Sequence, residues 1–233
     1  VKIGYWDCRG LVHSSILMLE YLKVPYKFQT PSTNLIGPGP KYDKSEWMKQ
    51  KEAILNGFDF PNLPYYHDPK RSVKLTQSTA IIMHIARSSE SLWPLTHDEA
   101  ILADIDVVRE ELKDLLQGIT AICYDHNLTD EKKEQFEELA KTKIHYLNKK
   151  KGDKKWIIGD QLTYLDFMAY EALDHHRLVF DTILDDFPML KGFLERFEAL
   201  PAIKEYMESS RFRVYPLWSE RSNLLGRGDA KYP

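Results

Sequence analysis

Every β-rich run in this chain falls within its first eighty residues, and from residue 90 onward no segment carries a strand pattern. A strand-bearing part is therefore followed by a helix-only part. Lys2-Ile-Gly-Tyr-Trp6 reads as a strand, Arg9-Gly10 as a turn, Leu11 to Leu22 as a helix, and Tyr26 to Gln29 as a second strand. Such a βαβ unit makes a parallel pair with a right-handed crossover. An irregular Gly/Pro-rich loop from Thr30 to Pro40 follows, then a short helix over Asp43 to Lys51. Two strands around Tyr65-Tyr66 and Val73 to Leu75 lead to a helix from Gln77 to about Ser88. The order βαβ-α-ββα is that of a thioredoxin-like α/β domain, which we place at residues 1–89, with an all-α domain over 90–233.

In the second part, Thr96-His-Asp-Glu99 reads as a capping box opening a helix to Tyr124, and a second periodic segment covers Asp130 to Lys150. Thr163-Tyr-Leu-Asp166 is a second box, with Leu162 and Phe167 placed as a hydrophobic staple. Short helices are expected at Phe187 to Ala199 and Pro201 to Ser209, then an aperiodic tail from Phe212. A net charge of -3 gives no reason to expect nucleic acid or an anionic membrane as partner. No apolar run approaches the ~18 residues of a membrane span. Only two cysteines, Cys8 and Cys123, and an opening Val-Lys-Ile-Gly-Tyr without a signal-peptide pattern lead us to expect a cytoplasmic protein.

Chemistry concentrates in a few places. Phe58-Asp-Phe-Pro-Asn-Leu-Pro-Tyr65 is held out of helix by its prolines, leaving backbone exposed. Thr76-Gln-Ser-Thr-Ala reads as a helix start whose free N–H groups attract an anion. An open strand edge beside a carboxylate socket suits a small extended peptide ending in a carboxylate; a hairpin and a capped helix without ligand are the alternative. Lys44, Trp47 and Lys51 share one helical face, two cations flanking an indole, and can take another carboxylate; a solvated amphipathic helix is the plainer reading. Tyr5 ends the first strand beside the turn, so its hydroxyl can face a cleft, or else it is a buried tyrosine with its hydroxyl satisfied. Asp174-His-His176 does not make a metal site, because consecutive helical side chains diverge by about 100°. Cys8 reads as a packed thiol, since Asp7 beside it opposes thiolate formation. The Arg-Gly-Asp tripeptide at 227–229 and the lysine run at 149–155 are read as chance and a solvated helix end.

Taken together, Gly4-Tyr-Trp-Asp-Cys-Arg-Gly10, Tyr42-Asp-Lys-Ser-Glu-Trp47, Asp59-Phe-Pro-Asn-Leu-Pro-Tyr65, Thr76-Gln-Ser78, Ile122-Cys-Tyr124 and Ser209-Ser-Arg-Phe212 resemble a cytosolic glutathione S-transferase of the mu class nearly end to end. The resemblance implies an enzyme that ionises glutathione and adds it to a hydrophobic electrophile, with glutathione as co-substrate and no metal or cofactor. It implies Tyr5 as the hydroxyl on the sulfur and Tyr124 as the group beside the electrophile. It further implies glutathione contacts from Trp6, Lys44, Trp47, Lys51, Asn62, Leu63, cis Pro64, Gln77 and Ser78. A homodimer follows, with Asp114 reaching the partner's ligand and Phe60 as an aromatic key. Trp218, with the tail from Phe212, is expected to wall the electrophile pocket. Lys44 stands where the family commonly has arginine, Met83 replaces an arginine often found at the two-fold axis, and Trp218 replaces phenylalanine. A non-catalytic ligand-binding or structural protein on the same scaffold is the alternative; an isomerase and a disulfide oxidoreductase are disfavoured.

Overall fold

The structure is a computed structural model and describes residues 1–31, 34–35, 42–43, 45–89, 91–219 and 221–226. Strand β1 (Lys2–Gly4) leads through a single 3-10 turn (Gly10–Val12) into helix α1 (His13–Tyr21), and the chain returns as β2 (Lys27–Gln29) parallel to β1. The expected βαβ unit is thus present. A two-residue pair, β3 (Asn34–Leu35) and β4 (Tyr42–Asp43), precedes α2 (Ser45–Ile54). Most of the Gly/Pro-rich loop, and Lys44, lie outside the described residues. Strands β5 (Tyr65–Asp68) and β6 (Val73–Thr76) add antiparallel to the first pair, giving the order β2-β1-β5-β6, and α3 (Ser78–Ser89) follows.

After α3 the described chain is helical: α4 (Glu99–Cys123), α5 (Asp130–Lys151), α6 (Tyr164–Val179), α7 (Pro188–Glu198) and α8 (Pro201–Met207). A thioredoxin-like sheet with helices is therefore joined to a helical part. Two helices sit at the join. α1 is buried on every side from His13 to Leu19, because it packs against α3, α6 and α8 at once. α6 is buried from Tyr164 through Phe167 and again from Ala169 to His176, and it packs on α1, α3, α4 and α7.

Helix starts follow local side-chain chemistry. The Asp166 carboxylate takes the Thr163 N–H at 2.7 Å, as the sequence predicts, and the Ile157 N–H at 2.8 Å as well. The box expected from Thr96 is corrected: α4 is capped by Asp98, which accepts from the N–H groups of Ala100 (2.9 Å) and Ile101 (3.2 Å). Thr96 accepts the Asp98 N–H at 3.1 Å. A carboxylate able to take two orphan amides wins the start of the helix over a hydroxyl two residues earlier. Among the described residues no helix is long and apolar enough to cross a membrane.

Candidate active site

The sheet register brings three predicted residues into one row. Gly4 pairs with Tyr65 and Tyr65 with Thr76, so the next positions across the same end of the sheet are Tyr5, Pro64 and Gln77. Two strand spacings separate the outer members by ~10 Å. An extended tripeptide has about that reach.

Tyr5 is fixed first by its main chain, which donates to Gln29 O at 3.1 Å. Its side chain is 7% exposed, and its oxygen accepts the Leu11 N–H at 3.3 Å. That contact depends on Gly10, whose φ of +43° turns the chain and where an added Cβ would lie 2.5 Å from the Tyr5 ring. Burial pushes the Tyr5 phenol up, and Cys8 and Tyr124 nearby add to the effect against the opposing Leu11 bond. Tyr5 therefore stays protonated at neutral pH. With one lone pair taken by an amide, it keeps a proton of its own to donate.

On the β5 side a small cluster gathers Trp47, Leu55 and Tyr65, with Trp6, Phe58 and Leu63 packed on it. Trp6 meets Trp47 edge-on at 5.8 Å between ring centroids. Three residues named from the sequence for glutathione, Trp6, Trp47 and Leu63, thus share one patch. Lys51, partly exposed, stands one helical turn after Trp47 on α2, while Lys44 lies outside the described residues. The Leu63–Pro64 peptide is cis, and Asn62 beside it is exposed. Gln77, also exposed, holds a φ of +72°, and its carbonyl takes the Ile81 N–H at 3.0 Å, so Ser78 opens α3 with its amides directed past Gln77. The Thr76 hydroxyl donates to Phe60 O at 2.7 Å, tying the loop before β5 to this helix start.

Tyr124 closes α4. Its hydroxyl lies 2.9 Å from the Ser219 hydroxyl and accepts the Ser219 N–H at 3.0 Å, which anchors the tail over it. Trp218 is 2% exposed and lies edge-on to Tyr124 at 6.1 Å and to His175 at 5.0 Å. Its large ring is drawn into the core rather than left at a surface. A cavity of about 710 Å³ opens between α1, β2 and α8, lined among others by Ile16, Leu19, Phe28 and Tyr206 and by none of Tyr5, Tyr124 and Trp218. Asp114 is exposed on α4, 3.6 Å from Lys143 Nζ. Phe60 is 79% exposed. Cys8 is buried.

Sequence reasoning passed over a charged cluster beside Tyr5. Arg9, read only as part of a turn, is fully enclosed and pairs with Glu171 (2.6 Å) and Asp174 (2.5 Å) of α6. His13 lies 2.9 Å from Glu171 and 3.2 Å from the Tyr206 hydroxyl. Glu171 inside the otherwise apolar run from Phe167 to Leu173, with Asp174 directly after it, was the available signal, since buried acids need a cation. Asp174 is thus spoken for by arginines, and among the described residues no three His, Cys, Asp or Glu groups converge as metal ligands.

Comparison with known proteins gives a consistent picture. The sequence pattern described as "Glutathione S-transferase, N-terminal domain" matches residues 1–87, and "Glutathione S-transferase, C-terminal domain" matches residues 113–210. The chain is 39% identical over 219 residues to human glutathione S-transferase Mu 4, covering 94% of this chain and 95% of that one. It is 40% identical over 216 residues to glutathione S-transferase Mu 1 of Bos taurus, covering 93% and 94%. Among solved structures, the glutathione S-transferase Blo t 8 superposes with a TM-score of 0.81 at 29% identity, covering 96% of this chain and 99% of that one.

Proposed function

The chain belongs to the glutathione S-transferases, mu class, and we propose that it works by a Tyr5-stabilised glutathione thiolate. It is an enzyme that conjugates glutathione, and hydrophobic electrophiles are its second substrate. The observation that carries the reading of the site is the row Tyr5, Pro64, Gln77 across one end of the sheet, with a protonated phenol at its head.

Glutathione lies extended along this row. The main chain of Leu63 pairs with the cysteinyl residue as an added strand. The α3 amides behind Gln77 and Ser78 receive the γ-glutamyl carboxylate. Trp6, Trp47, Lys51 and Lys44 take the glycyl carboxylate, and Asn62 assists. The cysteinyl sulfur then sits over the Tyr5 hydroxyl and gives its proton to solvent, and the phenol donates a hydrogen bond to the anion. The thiolate attacks the electrophilic carbon, forming the C–S bond as a halide or other leaving group departs with its electron pair, or as charge moves onto oxygen in an addition. Tyr124 faces that developing charge, backed by Trp218. Thiolate attack on a soft electrophile needs no resident cofactor, so glutathione enters only as co-substrate. Residues 1–89 bind glutathione, and residues 90–233 supply the electrophile side in a cytoplasmic homodimer. Asp114 reaches the partner's ligand and Phe60 anchors the interface.

The decisive measurement is thioether formation from glutathione and a chromogenic halonitroarene, together with the ultraviolet thiolate absorbance of bound glutathione, in wild type and Tyr5→Phe. Retained glutathione binding with lost thiolate absorbance and lost turnover in Tyr5→Phe supports the assignment. An unchanged absorbance rejects it.

A further inference from the structure

We propose that Arg9 is a positioning residue for the Tyr5 hydroxyl, its enclosed guanidinium holding the 9–11 turn on α6 so that the Leu11 N–H reaches the Tyr5 oxygen. This rests on the reading of Tyr5 given above and adds a residue to it.

Arg9 is 2% exposed. Nη2 donates to Glu171 Oε1 at 2.6 Å, Nε donates to Glu171 Oε2 at 3.2 Å, and Nη1 pairs with Asp174 Oδ2 at 2.5 Å. A planar fork spanning two carboxylates one helical turn apart fixes direction as well as distance, which a point charge does not. The carboxylates are themselves held. Glu171 faces His13 at 2.9 Å and His175 at 3.2 Å, and Asp174 is bridged by Arg177 at 2.6 Å. From the other side, the main-chain N–H groups of Arg9 and Gly10 donate to Pro216 O (3.0 Å) and Leu217 O (2.8 Å). Both residues before Leu11 are therefore gripped, one face by α6 and the other by the tail.

The grip matters because of what comes next in the chain. Gly10 turns at positive φ, and the following amide is the one aimed at Tyr5. At 3.3 Å that bond is already near the long limit, so a displacement of a few tenths of an ångström ends it. An oxygen that accepts an amide hydrogen is a stronger donor through its own O–H, and its proton is left directed away from the amide. Among the described residues, Cys8 and Tyr124 are the charged or titratable groups that act on the Tyr5 phenol, and neither supplies a cation. Asp7, on the same turn, is paired with Arg213 at the surface. The cluster also gains little from stability alone, since enclosed ion groups of this kind are often replaceable by apolar ones without loss.

The test uses the full-length protein and the pH dependence of kcat/KM for the halonitroarene, from about pH 5.5 to about pH 9.5, with Arg9→Lys and Tyr5→Phe measured side by side. Arg9→Lys keeps the charge and loses the fork. The inflection is expected to move toward that of free thiol, with about a tenfold loss on the acid limb for each unit of movement, a restored alkaline plateau and unchanged glutathione affinity. A profile lowered uniformly with its inflection in place overturns the inference and leaves Arg9 a structural residue. Should Arg9→Lys not fold, the combination Arg9→Met, Glu171→Gln and Asp174→Asn removes the cluster without stranding a charge, and an unmoved inflection there overturns the inference equally. If Tyr5→Phe moves the inflection and the Arg9 variants do not, only this inference falls; if Tyr5→Phe leaves it in place, the reading of Tyr5 itself has failed.

Discussion

In the role proposed for it Tyr5 has to keep its own proton, and burial favours this by raising the phenol. A free thiol with a pKa near ~8.5 is a few per cent ionised at neutral pH, so lowering it by ~2 units is worth ~2.7 kcal/mol. Removing the hydroxyl returns that energy. For Tyr5→Phe we expect kcat/KM near pH 6.5 to fall by about fiftyfold, with near-normal rates where the thiol ionises unaided; equal losses at both ends of the pH range would rule out a role in ionisation. Gly10 makes a second prediction. Gly10→Ala forces a Cβ to 2.5 Å from the Tyr5 ring at a φ of +43°, so the chain is strained and Tyr5 is displaced. A loss of ~1–3 kcal/mol in thermal stability is expected together with weakened thiolate absorbance; a variant with wild-type melting and absorbance would contradict the close packing described. Of the two readings the sequence left open for Tyr5, the local pattern made its place between β1 and the Gly10 turn legible. Arg9, four residues on, was not, because its partners are 162 and 165 positions away and nothing in Arg9-Gly10 announces an ion pair.

At the level of elements, the helix starts show which signals survive folding. The box at Thr163 and Asp166 was readable because its two members bond each other locally. The start of α4 was placed two residues early because Thr96 and Asp98 both have capping chemistry and only geometry chooses between them. The sheet order was half legible: a βαβ unit implies a parallel pair, whereas the placing of β1 between β2 and β5 is a long-range pairing that no local pattern encodes. Asp166 carries a prediction of its own. Burial raises its carboxyl to about 7 despite the N–H groups of Ile157 and Thr163 that it accepts, so the native state holds this proton more tightly than the unfolded chain does. By linkage its contribution to stability is full below the unfolded value near ~3.9 and is lost as pH rises through about 7. Melting temperatures of wild type should therefore decline between about pH 4 and about pH 7 relative to Asp166→Asn, which does not ionise. Parallel curves for the two proteins across that window would show that Asp166 stays charged in the fold.

For the whole molecule, the placing of Asp114 on an exposed face of α4 leaves one question of assembly that chemistry can answer. In a single chain Asp114 faces Lys143 of α5, not the row led by Tyr5, and Phe60 stands 79% exposed on the loop before β5. In the proposed dimer a second copy would cover both, and an aromatic of that size gains roughly 1.5–3 kcal/mol by burial. Phe60→Ser should then shift the protein toward monomer in sedimentation at micromolar concentration and weaken glutathione binding at the same time. Complementation distinguishes a shared site from a merely dimeric one. Asp114→Ala and Tyr5→Phe each damage every site in their own homodimers. When the two are co-expressed, a mixed dimer contains one site built from an intact Tyr5 and the partner's intact Asp114, provided that the aspartate acts across the interface. Purified mixed dimers should accordingly recover about half of the wild-type turnover at low glutathione, because one of two sites is whole. If Asp114 acted within its own chain, one site would lack the phenol and the other the carboxylate, and no recovery would appear.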